Sequence, residues 1–231
     1  MNKKEILPAI LEKTFSEIKE KIMQTQDFVD FVQVDICDGK FVPSKTVAST
    51  GCHGFFLKLK KITKKVGFEL DMMVDLDIKI KGRFEKWLNA IKISEAKRVV
   101  FHFGSTQKWN EIFNFFKTSD ILKKVEIGLA VQIQHKEKDY VKLFEKYNFD
   151  YIQFMGIEKI GYGGQKLTPK VYQKIKSFKK KYPKIPISVD GGVKIENAKK
   201  LKEAGATRLV SGSGLFKAEN IETRIKEFKN N

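Results

Sequence analysis

Four acidic side chains stand where they could move protons. Asp35, Asp71 and Asp190 each end, or nearly end, a short apolar run, and Glu12 follows another. Two carboxylates facing each other across one substrate can take a proton from one face of a carbon and return one to the other. Inversion of a stereocentre beside a carbonyl requires that arrangement. Asp35 and Asp190 suit it, because the runs that carry them fall on opposite sides of the ring built below. Three glycine turns accompany the acids: Gly161-Tyr162-Gly163-Gly164, Gly191-Gly192 and Gly212-Ser213-Gly214. Glycines at such places let backbone N–H groups close around an anion. The plainer alternative is that the acids cap loops and the glycines only make tight turns.

Strand and helix patterns alternate along the chain and must position these groups. Strands are predicted at Ile6–Leu11, Phe31–Asp35, Gly67–Met73, Arg98–Phe103, Glu126–Val131, Tyr151–Met155, Ile187–Val189 and Leu209-Val210. Thr14-Phe15-Ser16-Glu17 reads as a capping box opening a helix with Ile18 and Ile22 on one face. Further helices are predicted over His53–Lys61, Phe84–Ile91, Thr106–Phe116 and Tyr140–Tyr147, from Thr168-Pro169, and over Ile195–Ala204 and Asn220–Phe228. Gly205 stops the seventh. Eight strand–helix units without an internal linker imply a parallel sheet closed into a (β/α)8 TIM barrel of α/β class, one domain over 1–231.

Composition narrows the function classes. The chain has 231 residues, 42% of them hydrophobic, with nineteen Phe, enough for one large core. No apolar run reaches the roughly 18 residues that a membrane span needs. The first residues, MNKKEILPAI, lack a signal-peptide core, so a cytoplasmic enzyme is expected. Cys37 and Cys52 are too few for a disulfide framework and are expected to be reduced. The net charge of +17 is almost all lysine, spread over polar helix faces such as Lys174, Lys176, Lys179, Lys180 and Lys181. With four arginines and no interleaved aromatic motif, neither nucleic acid nor membrane is the expected partner; a basic field would draw in a sugar phosphate. A homo-oligomer is expected.

Several segments together resemble the ribulose-phosphate 3-epimerase family: PAILEKTFSEI at Pro8–Ile18, VQVDICDGKFVPS at Val32–Ser44, ELDMMV at Glu69–Val74, FHF at Phe101–Phe103, GYGGQKLTPKVYQKIK at Gly161–Lys176, and VDGGVKIENAKKLKEAGATRLVSGSGLF at Val189–Phe216. The resemblance implies a barrel of the ribulose-phosphate-binding type. It also implies inversion of C3 of a ketopentose phosphate through an enediolate, with Asp35 and Asp190 as acid and base. Phosphate would lie on Gly161, Tyr162, Gly163, Gly164, Gly191, Gly192, Gly212 and Ser213. Met73 and Met155 match methionines lining the family's site, Cys37 stands where another is usual, and His102 matches a family histidine.

The chain departs from that pattern at the metal. The family usually holds a divalent ion with two histidines and the two aspartates; here the histidine positions read Gln33 and Asp71. Glu12 replaces the usual serine after strand one, Gly104 replaces a frequent acid, and the loop after strand six is one residue longer and lacks Asn-Pro. Imidazole suits zinc and iron, whereas carboxylate and amide oxygens suit harder ions. Gln33, Asp35, Asp71 and Asp190 would therefore hold Mg²⁺ or Mn²⁺ in preference to Zn²⁺ or Fe²⁺; no organic cofactor is expected. Without a metal the carboxylates would repel and at least one pKa should rise. A sugar-phosphate-binding barrel that has lost catalysis is the alternative. A sugar-phosphate lyase or decarboxylase fits less well, because Asp71-Met72-Met73-Val74-Asp75 lacks the lysine of the Asp-x-Lys-x-x-Asp pattern.

Overall fold

The computed structural model describes residues 4–46 and 53–231; Cys52 lies outside them. Eight parallel strands close into a barrel in chain order: β1 Glu5–Ile10, β2 Phe31–Cys37, β3 Gly67–Met73, β4 Arg98–His102, β5 Glu126–Val131, β6 Tyr151–Met155, β7 Ile187–Asp190 and β8 Arg208–Ser211. Strands β8 and β1 pair from Glu5↔Arg208 to Pro8↔Ser211, which closes the ring. The helices are α1 Phe15–Thr25, α2 His53–Ile62, α3 Arg83–Ser94, α4 Trp109–Thr118, α5 Glu137–Tyr147, α6 Lys170–Lys181, α7 Ile195–Ala204, α8 Ser213–Phe216 and α9 Ile221–Asn230. Among the described residues, no helix is long and apolar enough to cross a membrane.

Strand residues alternate between two environments, as a period of two demands. Val32, Val34 and Ile36 of β2 face outward and join the helix-facing core with Phe68, Leu70 and Met72 of β3. The intervening positions face the barrel axis, and many are polar: Gln33, Glu69, Asp71, His102, Gln153 and Ser188 are all buried. The outer layer is closed by aromatic edges, such as Phe178 against Phe144 and Phe154.

The predicted capping box is formed: Thr14 Oγ1 accepts from the Glu17 N–H, and the Glu17 carboxylate accepts from the Thr14 N–H. Gly205 ends α7 with φ of 122°. Helix α6 begins at Lys170, one residue after the expected first-turn proline, and Pro169 already has helical dihedrals. The ends of β2, β7 and β8 reach one or two residues beyond the predicted runs, because parallel pairing continues through Ile36 and Cys37, Asp190, and Arg208 and Ser211.

The amino-terminal end of the barrel is closed by side-chain ion pairs. The Arg98 guanidinium forks onto Glu5 at 2.7 and 3.2 Å, lies 3.4 Å from Glu126, and covers the Phe31 ring at 3.7 Å. Arg208 donates to Glu126 at 2.6 Å. Breaking a buried ion pair leaves its partner uncompensated. Arg98→Met is therefore expected to cost about 3 kcal/mol, lowering Tm by about 6–12 °C. Lysine, lacking the planar fork, should restore only part of it. Thermal denaturation of the two variants checks this.

Candidate active site

The site forms where alternate residues of β2, β3, β4, β6 and β7 meet at the carboxyl end of the axis. Asp35 and Asp71 are register partners on β2 and β3, and Asp190 comes from β7 across the ring. One oxygen from each of the three carboxylates can be chosen so that all lie within 4.8 Å of one another. Gln33, one inward step below Asp35, sends its Nε2 among them. It donates to Asp35 Oδ1 at 3.0 Å and Asp190 Oδ2 at 3.1 Å, with Asp71 Oδ2 at 3.5 Å.

Asp71 is held from other sides. His102 Nε2 lies 2.7 Å from Asp71 Oδ1, and Gln153 Nε2 donates to Oδ2 at 3.3 Å. His102 Nδ1 is buried without a partner; a proton on Nε2, given to Asp71, leaves only a lone pair unsatisfied there. Ser188 Oγ donates to Gln153 Oε1 at 3.2 Å, which orients that amide.

Burial and like charge raise the acids. Asp35 is pushed well above the usual carboxylate range by burial, then by Asp190 and Asp71. Asp190 is pushed up to about 7, again by burial first and by Asp71 next, with the Gln33 hydrogen bond opposing. Glu69, deeper in the barrel, also rises to about 7 by burial, although Tyr151 donates to it at 2.8 Å. The Cys37 thiol is buried and raised by burial and the nearby aspartates, so it is not a ready nucleophile.

Above the acids lies a narrow recess. Asp35 and Asp190 form its floor with Met73 and Met155, and Gly161, Tyr162, Gly163, Gly164, Gly191, Gly192, Gly212 and Ser213 line the rest. Every predicted phosphate-loop residue thus lines the same recess as the aspartate pair. Gly212 leads directly into α8, a single turn whose first backbone bonds are the Leu215 and Phe216 N–H groups to Gly212 O. The leading N–H groups of Ser213 and Gly214 belong to the turn's unbonded start.

Two predicted residues sit elsewhere. Glu12 pairs with Lys21 and lines a neighbouring recess with Lys13, Ser44 and Lys45. His102 is fully buried behind Asp71 and does not line the main recess. Sequence reasoning missed Gln153 and Ser188. Their signal was a polar residue at the inward phase of an apolar strand, as in Tyr151-Ile152-Gln153-Phe154-Met155. It also gave Asp38 no role. That carboxylate accepts from the Lys40, Phe41 and Asp75 N–H groups and pairs with Arg83 at 2.9 Å, so loop capping belongs to Asp38 and not to Asp35. The loop it anchors reaches the strand-six loop, where Ser44 Oγ donates to Gly161 O.

The oxygens converge as a hard cation would require, but the Gln33 amide nitrogen already stands among them. Three carboxylates converge, and Gln33 Oε1 is buried without a partner on the same amide that touches all three. A half-turn of that amide puts an oxygen where the nitrogen now sits. Among the described residues no imidazole joins the carboxylate cluster; His102 stands behind Asp71.

Fold and site together define a (β/α)8 barrel with paired acids under a glycine-rimmed mouth, at the end where barrels of this kind carry out chemistry. Residues 5–216 match the model of the ribulose-phosphate 3 epimerase family, and the chain belongs to that family. It is 25% identical over 226 residues to the ribulose-phosphate 3-epimerase of Schizosaccharomyces pombe, covering 97% of this chain and 92% of that one. It is 27% identical over 226 residues to that of Methanocaldococcus jannaschii, covering 96% and 88%. Among solved structures it resembles the 3-hexulose-6-phosphate synthase from Salmonella typhimurium. The TM-score is 0.70 at 16% identity, with 98% and 97% of the two chains covered, a likeness of fold alone. Family and relatives indicate ribulose-phosphate 3-epimerase activity.

Proposed function

We propose that this chain interconverts ribulose 5-phosphate and xylulose 5-phosphate, with Asp35 and Asp190 as the proton-transfer pair. The observation that carries this reading is their convergence: carboxylates from β2 and β7 share one amide donor, at 3.0 and 3.1 Å, on the floor of one recess. With C3 of the sugar between them, the ionised member removes the C3 proton, and the electron pair moves into an enediolate over C2 and C3. The protonated member then delivers a proton to the opposite face. The pair ends with its proton exchanged between sides, ready for the reverse reaction.

The remaining residues bind and orient. The glycine rim receives the phosphate through backbone N–H groups, fixing the far end of the sugar. Met73 and Met155 give the floor apolar walls, which limit water around the enediolate. Gln33 Oε1, Asp35, Asp71 and Asp190 are the residues that would hold a Mg²⁺ or Mn²⁺ ion. Such an ion, when bound, supplies positive charge for the enediolate oxygens.

The test is to incubate the protein with ribulose 5-phosphate in D₂O. Deuterium at C3, together with xylulose 5-phosphate, is expected. Tight binding of ribulose 5-phosphate without either product would mark a sugar-phosphate-binding barrel and overturn the enzymatic reading.

A further inference from the structure

The three buried carboxylates carry an electrostatic load, and the group at their centre is a neutral amide. Gln33 Nε2 has two hydrogens, and its two short contacts go to Asp35 and Asp190. Asp71, at 3.5 Å, is the longest contact and has donors of its own in His102 and Gln153. The division is coherent: β4 and β6 supply Asp71, and both Gln33 hydrogens remain for the pair that flanks the reacting carbon.

The amide's other end fits the same logic. Oε1 is buried and partnerless. Turned the other way, it would set its lone pairs against three carboxylates and give up every Nε2 contact. A cation at the centre, or a carboxyl proton turned toward Oε1, would make that orientation favourable. The terminal torsion of glutamine is broad and roughly two-fold, so the turn itself costs little. A metal entering this site must displace existing hydrogen bonds before it gains a ligand oxygen.

We propose that the Gln33 carboxamide takes the place of the cation in this chain, tying Asp35 and Asp190 together through its two N–H groups, so that the site is assembled and binds its sugar phosphate without a divalent ion. The inference rests on the epimerase reading for the identity of the sugar. Gln33 is a positioning residue here. It acts through the two carboxylates, and the metal dependence of the protein reports it directly.

The test compares wild type, Gln33→Glu and Gln33→Leu, each dialysed against EDTA and then supplied with MnCl₂. The readouts are Tm and calorimetric affinity for ribulose 5-phosphate. Wild type is expected to shift by less than about 2 °C and to change affinity less than about twofold between the two conditions. Gln33→Glu keeps the shape but replaces the donors with a fourth carboxylate. In EDTA its Tm should fall by about 5 °C or more, and Mn²⁺ should restore most of the loss. Gln33→Leu should fall in the same direction. The proposal is overturned if wild type loses stability or sugar-phosphate affinity in EDTA as strongly as Gln33→Glu, or if Gln33→Glu in EDTA matches wild type. Should neither variant fold, the wild-type comparison alone decides. If ribulose 5-phosphate binds under no condition, the epimerase reading fails, while the Tm comparison still judges the role of Gln33.

Discussion

Asp190→Asn is expected to lower kcat/KM for the epimerisation of ribulose 5-phosphate by about 10³-fold, because one of two general acid/base groups is gone. The substitution keeps the side chain's shape. Asn can present its carbonyl oxygen to Gln33 Nε2, so the 3.1 Å contact has a replacement acceptor. The glycine rim is untouched, so KM should stay within about threefold and the loss should fall on kcat. Asp35→Asn should behave alike, since the two act in sequence on one carbon. The pH profile follows from the same pair, whose productive form carries one proton. Asp190 is raised to about 7 by burial and by Asp71, and Asp35 well above its usual range by burial and both neighbours. A raised carboxyl favours the neutral form. As pH falls below about 7 both members become protonated and the base is lost. As pH rises far enough to ionise both, the acid is lost. In EDTA, kcat/KM should therefore rise through about pH 7, reach a plateau and fall again at higher pH. Retained epimerisation in Asp190→Asn, or a flat profile between about pH 6 and 8, would remove the pair from the mechanism.

How much of this was legible beforehand depends on the range of the forces involved. The eight units were readable because their signals are local: period-two alternation, the Thr14–Glu17 box, and glycine at the end of α7. Asp35, Asp71 and Asp190 were readable because strand ends announce themselves. The support beneath them was not. Gln153 and Ser188 sit inside strands, where an inward polar residue is their one local mark; what they act on is set only when the ring closes and brings β6 and β7 to bear on Asp71. Helix α8, four residues long, shows no periodicity to detect. Glu12 exposes the limit of reading position from sequence. It lies two residues past the end of β1, where the alternation that aims Asp35 inward no longer applies, and its carboxylate turns to Lys21 instead.

The phosphate end of the site admits an equally direct trial at Gly192. Its φ is +71°, a left-handed conformation that costs a residue with a Cβ about 1–2 kcal/mol. Space is the larger obstacle. A Cβ there would stand 2.5 Å from Leu167 N, 2.7 Å from Leu167 Cα and 2.9 Å from Lys166 C, all backbone atoms that cannot swing aside. Gly192 O is also held, accepting from Asn197 Nδ2 at 2.9 Å, so the turn cannot simply rotate. Gly192→Ala must therefore push residues 166 and 167 outward, and with them the end of the loop that carries Gly163 and Gly164. Stability should fall by about 2–3 kcal/mol, lowering Tm by about 4–12 °C. KM for ribulose 5-phosphate should rise by about tenfold or more while kcat stays within about threefold, because the aspartates beneath are not displaced. Gly163→Ala gives the stability control: a Cβ at Gly163 meets nothing within 4 Å, and Tm should not move. The kinetic split separates anion binding from mere structure. If Gly192→Ala shows the Tm loss with KM unchanged, the glycine rim does not carry the phosphate, and the sugar must be anchored by other residues around the aspartate pair.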